Sequence, residues 1–410
     1  MTLREDAEKI IQAALQAALP DTAVRKALAE ASFGPGRLVL VAAGKAAWQM
    51  AAAAVEALGD RLDGGVVVTK YGHSKGPLGT LRICEAGHPV PDENSYQATQ
   101  AAIDAVEGLT AEDTVLFLLS GGGSALFEKP RIPPEDLDRL TRELLSCGAA
   151  IVEMNTIRKR FSAVKGGRFA QLCAPAKVFT VVLSDIIGDP LDMIASGPAY
   201  PDASTSAQAL RIAEKYRLTL TPDMRRLLGE ETPKELCNVE TCVTGSVRQL
   251  CLAAAEACRG LGYAPTILTA SLSCTARDAG EFLASIAQYH QDTDRSLAFI
   301  AGGETVVRLT GKGLGGRNQE LALAAASGIG GLRDTAVFSL GSDGTDGPTD
   351  AAGGYVDGST AASLAAAGVA LFAVFQDNDA YHALERCGGL LKTGPTGTNV
   401  NDISVLLIRR

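Results

Sequence analysis

LVLVAAGKAAWQMAAAAVEAL occupies positions 38–58 and sets the reading of the whole chain. It opens with six apolar residues in a row, which suits a strand buried on both faces of a sheet. From Ala46 onward, alanines with Met50, Val55 and Leu58 follow a helical period. Only Gly44 and Lys45 separate the two segments. Strand, glycine-bearing turn and helix form the unit from which parallel α/β layers are built. The same signature recurs at VVVT (66–69), TVLFLLS (114–120) and VFTVVLS (178–184), with helix-period segments SYQATQAAIDAVEGL (95–109) and PEDLDRLTRELLSCG (134–148) between them.

A polar, turn-rich stretch, TPDMRRLLGEETPKELCNVE (221–240), interrupts the pattern. Beyond it CVTGS (242–246), YAPTILT (263–269), LAFIAGG (297–303), TAVFSLGSD (335–343), ALFAVF (370–375) and DISVLLI (402–408) read as strands of a second, mixed sheet. ETVVRLTG (304–311) alternates like a more exposed strand, and helices are expected near 247–260, 275–290 and 316–328. The expectation is therefore two α/β domains, 1–235 with a parallel sheet covered by helices on both faces, and 236–410 with a mixed sheet.

Composition narrows the function. Of 410 residues, 46% are hydrophobic, 21% charged and 5% aromatic, and the net charge is −9. That balance disfavours nucleic acid, whose binders carry a basic face. The N-terminal MTLREDAEKI lacks the apolar core of a signal peptide, and no apolar run approaches the ~18 residues that span a bilayer. Nine scattered cysteines include no C-x-x-C pair; Cys237, Cys242, Cys251 and Cys258 read as small buried residues. A cytoplasmic, reduced protein without structural zinc or membrane contact is expected, and a homodimer is allowed.

Four glycine-rich loops are placed to carry chemistry, since such loops gather at the carboxyl ends of α/β strands. In VLVAAGKAAW, Lys45 follows a buried strand and opens a helix, where it is either a phosphate ligand or a solvated lysine. LLSGGGSAL (118–126) offers Ser120, Gly121, Gly122, Gly123 and Ser124, either a tight turn or a backbone cradle for an anion. VVLSDIIGDPLDMIASGPAYPD (181–202) holds Asp185, Asp189 and Asp192, candidates for a metal, a general base or helix capping. GKGLGGRNQE (311–320) matches G-x-G-x-x-G literally, but in the wrong context for a dinucleotide site. Its Gly316, Arg317 and Asn318 read instead as an anion clamp at a helix start.

Three further stretches belong to the list. His88 in EAGHPVPDENS reads most simply as a turn residue. NTIRKRFSAVKGGR (155–168) is either a solvated basic face or, through Lys165, a phosphate contact. GSDGTDGPTDAAGGYVD (341–357) fails the EF-hand spacing, because Thr345 and Gly347 fill the ligand positions after Asp343. Asp343 and Asp346, with Glu304, stay as metal or base candidates, while Asp350 and Asp357 suit caps and turns.

LLSGGGSAL, VVLSDIIGDPLDMIASGP, AGGETVVRLTGKGLGGRNQELALAAA, GSDGTDGPTDAAGGYVD and KTGPTGTNVNDISVLLI together resemble the glycerate 2-kinase family, in order from about residue 5 to the C-terminus. Many of its members are labelled hydroxypyruvate reductase. The resemblance implies a Rossmann-like N-terminal domain, a C-terminal MOFRL domain and an active site in the interdomain cleft. It implies transfer of the γ-phosphoryl of ATP, with Mg²⁺, to the 2-hydroxyl of D-glycerate. It assigns the catalytic roles to Lys45 and Arg317. An NAD(P)H-dependent hydroxypyruvate reductase and a non-catalytic nucleotide or sugar-acid sensor are the alternatives.

Overall fold

A computed structural model describes residues 2–188 and 190–410; Asp189, one of the carboxylates singled out above, lies outside the described residues. The apolar runs become two six-stranded sheets, each the centre of one compact unit.

The first sheet holds β1 (Leu38–Ala43), β2 (Gly64–Lys70), β3 (Leu81–Ala86), β4 (Thr114–Leu119), β5 (Lys177–Leu183) and β6 (Val239–Gly245). Their order is β3-β2-β1-β4-β5-β6, and the pairings among β1 to β5 are parallel. This is the doubly wound order, in which the chain turns outward in opposite directions from β1 and β4 and leaves a crevice beyond their carboxyl ends. Every residue of β1 and β4 is buried. Along β4, Leu116 and Leu118 join a cluster with Ala47, Met50 and Ala54 of the helix Ala47–Leu58. Phe117, between them, points the other way, its ring 5.5 Å from that of Phe127 and 4.8 Å from that of Phe169. Alternate side chains thus feed cores on both faces, which is why these strands read as unbroken apolar runs.

The second sheet holds β7 (Ala264–Leu272), β8 (Leu297–Gly303), β9 (Thr335–Gly341), β10 (Gly353–Asp357), β11 (Leu390–Leu391) and β12 (Asp402–Ile408). The order is β11-β10-β9-β12-β8-β7, parallel only between β7 and β8 and antiparallel elsewhere. One face packs on the helices Ala276–Tyr289 and Arg317–Gly328 through Val337, Leu406 and Ile408. The other packs on the helix Val247–Gly260 and on the helix Leu3–Ala17.

That last helix belongs, by contact, with residues 245–410, as do residues 185–188, whereas 23–184 and 190–244 form the other unit. Leu3, Ala7, Ile10, Ile11 and Ala14 line its buried stripe, and burying an isoleucine is worth about 1.5–3 kcal/mol. The buried carboxylate of Asp6 accepts a 2.6 Å hydrogen bond from the Tyr263 hydroxyl and fixes its register.

The expected CVTGS strand lies in the first sheet, as the end of β6, rather than in the second, and two other expected strands are absent. ALFAVF is part of the helix Leu371–Asp377, which ends where Asn378 takes a left-handed φ of +55°. Phe372 there is 78% exposed, and so short an apolar run has no period that separates strand from helix. ETVVRLTG is irregular: Val306 makes one isolated bridge to Thr275, and Leu309 is 81% exposed. Cys251 and Cys258 are buried as expected, Cys242 is half-buried, and Cys237 is exposed.

Candidate functional site

In the N-terminal unit the loops after β1 and β4 are laced together by short backbone contacts. The Lys45 amide donates to the Gly121 carbonyl at 2.9 Å, and the Ala46 amide to the Ser120 hydroxyl at 3.1 Å. Gly44 has φ +131°, and a Cβ on it would lie 2.1 Å from the Ser120 oxygen. Ser120 is therefore a buried brace rather than a ligand. Gly121, Gly122 and Ser124 keep exposed surface, and Lys45 itself is exposed.

The loop after β5 joins them. Gly123 packs so closely that a Cβ would stand 2.7 Å from that of Ala195. The hydroxyls of Ser124 and Ser196 lie 3.1 Å apart, and Ser196 donates to Asn155 at 3.4 Å. Ala195 and Ser196 hold φ values of +50° and +61°. Each such non-glycine residue costs on the order of 1–3 kcal/mol, a strain found mostly at functional sites. Two loops singled out in the sequence thus meet at the carboxyl ends of neighbouring strands, with Asp185 half-buried at the end of β5.

The basic segment does something else. Lys159 and Arg160 are not solvated: both are buried on Asp202, at 3.1 and 2.9 Å. Thr232 and Ser204 donate to the same carboxylate at 2.8 and 2.9 Å. Despite burial, Lys159 and these donors hold Asp202 well below the usual carboxylate range. Lys165 has no exposed surface and is ion-paired with Glu128, so the phosphate contact expected of it has no access. Burial pulls its ammonium down to about 8, against the attraction of Glu128.

In the C-terminal unit a pocket of about 610 Å³ opens beside the start of the helix Arg317–Gly328. Glu304, Gly316, Arg317, Asp343 and Asp346 line it. Arg317 is held on three sides: Nε and Nη2 donate to the two oxygens of Asp402 at 2.5 and 3.0 Å, and Nη1 to Glu304 at 2.8 Å. This planar fork leaves the guanidinium 35% exposed and fixed in direction. Burial opposes its charge, and Asp402 and Glu304 more than offset that, raising its pKa. Burial likewise raises Asp402, against the pull of Arg317.

Asp346 is 3% exposed and caps that helix from another segment. It accepts from the amides of Asn318 and Gln319 at 3.1 and 2.8 Å. Burial lifts its carboxyl to about 6, although these amides pull the other way. A Cβ on Gly316 would stand 2.2 Å from the Asp346 carboxyl carbon, which is why glycine precedes Arg317. Asn318, assigned to substrate by its place in the motif, is buried and committed: its amide side chain reaches Asp346 at 3.3 Å and accepts from Ser339 at 2.6 Å. Asp343 accepts from the amide and hydroxyl of Thr345, at 2.9 and 3.0 Å, and stays half-exposed in the pocket wall. Asp357 caps the turn at Ser359, accepting at 2.9 Å, and Asp350 takes Tyr381 and Lys392, both at 2.8 Å.

The residue missed from sequence is Asp402, 85 positions from the arginine it holds. It stands inside a motif that was noticed, at the start of an apolar strand, with no local pattern to mark it. Among the described residues no three histidine, cysteine or carboxylate side chains are grouped to hold a metal ion. Chemically, the first region offers an exposed lysine beside partly exposed glycine backbone at 121–122, and the second offers an oriented guanidinium among carboxylates.

Residues 6–229 match a family described as a domain of unknown function (DUF4147), and residues 297–402 match the MOFRL family. The chain is 51% identical to the D-glycerate 2-kinase of Thermotoga maritima over 99% of both chains. The crystal structure of that organism's glycerate kinase superposes with a TM-score of 0.94, covering 99% of each chain. A glycerate 2-kinase of Pyrococcus horikoshii is 39% identical, covering 100% of this chain and 98% of its own. A crystal structure from that organism, also 39% identical, has a TM-score of 0.95 and covers 100% of this chain and 99% of its own. A relative from Agrobacterium vitis named as a hydroxypyruvate reductase is 39% identical over 100% of this chain and 95% of its own.

Proposed function

The chain belongs to the glycerate kinase family of these relatives, and from that premise we propose that it transfers the γ-phosphoryl group of ATP to the 2-hydroxyl of D-glycerate, giving 2-phosphoglycerate and ADP. The observation that carries this reading is the 51% identity to a D-glycerate 2-kinase across 99% of both chains. Phosphoryl transfer asks a protein mainly for positioning and for neutralisation of spreading negative charge. Lys45 and the glycine backbone after β4 suit the phosphate chain, and Arg317 suits the transferring group. The amides at 121–124 and the Arg317 fork are the candidate anchors for the glycerate carboxylate.

Magnesium is read as arriving with the nucleotide. Asp343 and Glu304 are pocket carboxylates with exposed faces, and one or two carboxylates plus phosphate oxygens are a usual magnesium environment. The metal would shield the phosphate charge during transfer. The substrates are small molecules, the proposed setting is the cytoplasm, and among the described residues no single helix is long and apolar enough to cross a membrane.

The reductase reading has a specific obstacle. The doubly wound sheet is the right frame for a dinucleotide, but its first turn is Gly44-Lys45-Ala46, without the glycine fingerprint. The literal match at Gly311, Gly313 and Gly316 follows an irregular segment, beside a mixed sheet. A single assay separates the two: the protein is incubated with D-glycerate and Mg-ATP, and separately with hydroxypyruvate and NADH or NADPH. ADP formation with glycerate is expected; rapid NADH oxidation without it would overturn the kinase reading.

A further inference from the structure

His88 is half-buried on the loop after β3, and its ring lies against the α-carbon of Gly122. A Cβ on Gly122 would stand 3.0 Å from the ring's Cδ2, 3.1 Å from Nε2 and 3.2 Å from Cγ of Lys45. The imidazole and the lysine stem therefore share the floor that the glycines form. Lys70 ends β2, His73 follows it, and His73 Nδ1 lies 3.0 Å from the Lys45 carbonyl. Basic side chains thus converge on one glycine loop from the ends of three adjacent strands. The carboxylates on neighbouring segments are engaged: Glu85 accepts from the Ser74 amide at 3.0 Å, and Asp92 from the Tyr71 hydroxyl at 2.6 Å and the Ser95 amide at 2.9 Å. Burial, then Lys45, Lys70 and His73, hold the imidazole below its ordinary value of 6.5, so it is neutral at pH 7 and able to take a proton.

We propose that His88 is the base that accepts the proton of the substrate hydroxyl during transfer. The inference rests on the kinase reading and adds a residue to it. In the step, the hydroxyl oxygen bonds to the γ-phosphorus while the bond from that phosphorus to the β,γ-bridging oxygen breaks. ADP leaves with that electron pair, and the hydroxyl proton passes to His88 and then to water. Lys45, beside it, is left to meet the phosphoryl oxygens. A neutral imidazole in a cationic corner suits this division: the neighbours that suppress its charge are the groups that attract the substrate anion.

The test is the pH dependence of kcat/KM for D-glycerate between pH 5 and 8, for the wild type and His88→Gln. A base must be neutral, so wild-type activity should fall on acidification through a midpoint below 6.5. His88→Gln should lower kcat by about 10²-fold or more, flatten the acid limb and leave KM for ATP within a few-fold. Because Asp346 also titrates near 6, Asp346→Asn serves as the second variant: the acid limb must persist in it, and this holds the proposal to account even if His88→Gln does not fold. An acid limb unchanged in His88→Gln, or a raised KM with unchanged kcat, would overturn the base role and leave the kinase intact. A wild type that forms no ADP from D-glycerate would overturn the kinase reading itself.

Discussion

The two regions assigned to the reaction are built on opposite principles. Around β1 and β4 the geometry belongs to the backbone: glycines at Gly44, Gly122 and Gly123 let loops close on one another, and the lysine they present is exposed. In the C-terminal pocket the geometry belongs to side chains. Arg317 is braced by two carboxylates and its helix is capped by a third. A lysine is a point charge on a flexible stem and can follow a moving phosphate, whereas a forked guanidinium is worth most when it cannot move. The two regions thus present the same sign of charge in two forms, one on an exposed flexible stem and one locked between carboxylates.

The sharpest way to break that comparison is Arg317→Ala. Turnover should fall by about 10³-fold, with Arg317→Lys failing to restore it, as steady-state ADP release would show. Full activity in the lysine variant would mean that orientation is irrelevant. Lys45→Ala should come next, at roughly 10²-fold, with the cooperativity of unfolding kept because the side chain is exposed. Asp402→Asn should cost less, about tenfold in kcat with KM little changed, because it loosens the arginine without removing it. Equal losses from Asp402→Asn and Arg317→Ala would make the carboxylate itself catalytic.

The smallest effect concerns Asp346 and is read in stability. A carboxyl near 6 when folded and near ~3.9 when unfolded binds more protons in the native state between those values. Its contribution therefore grows as pH falls from 7 toward 4, by about 2–3 kcal/mol. Asp346→Asn keeps an oxygen for the helix amides and removes the charge. Urea unfolding of this variant at pH 7 should show stability equal to or above the wild type, with this gain on acidification gone. A loss of more than ~1 kcal/mol at pH 7 would show that the charge, not the oxygen, caps the helix.

The frame was legible in the sequence because strands buried on both faces leave unbroken apolar runs, and most of the twelve strands fall on such runs. What misled was context. Lys159 and Arg160 read as a solvated face because nothing local reveals Asp202, more than 40 residues on, which buries them. Asn318 and Lys165 lie in glycine-rich motifs yet serve the interior, since a motif marks a position and not the direction in which its side chain points. Asp402 left no sign for the converse reason: it holds Arg317 from the start of an ordinary apolar strand.

One feature of the second sheet bears on how the chain is made. β12 lies between β9 and β8, yet it is the last of the twelve strands to leave a ribosome. The helix Leu3–Ala17, which covers that sheet, precedes the whole parallel sheet in the chain, and Thr398 hydrogen-bonds to Ala18 across 380 residues of chain. The parallel sheet in between is complete much earlier. The apolar stripe of that helix therefore leaves a ribosome ahead of the whole parallel sheet and of the strands it covers, with the long-range closure and exposure to aggregation that such an order entails. Until those strands arrive, Leu3, Ile10 and Ile11 are the side chains left to find other apolar partners.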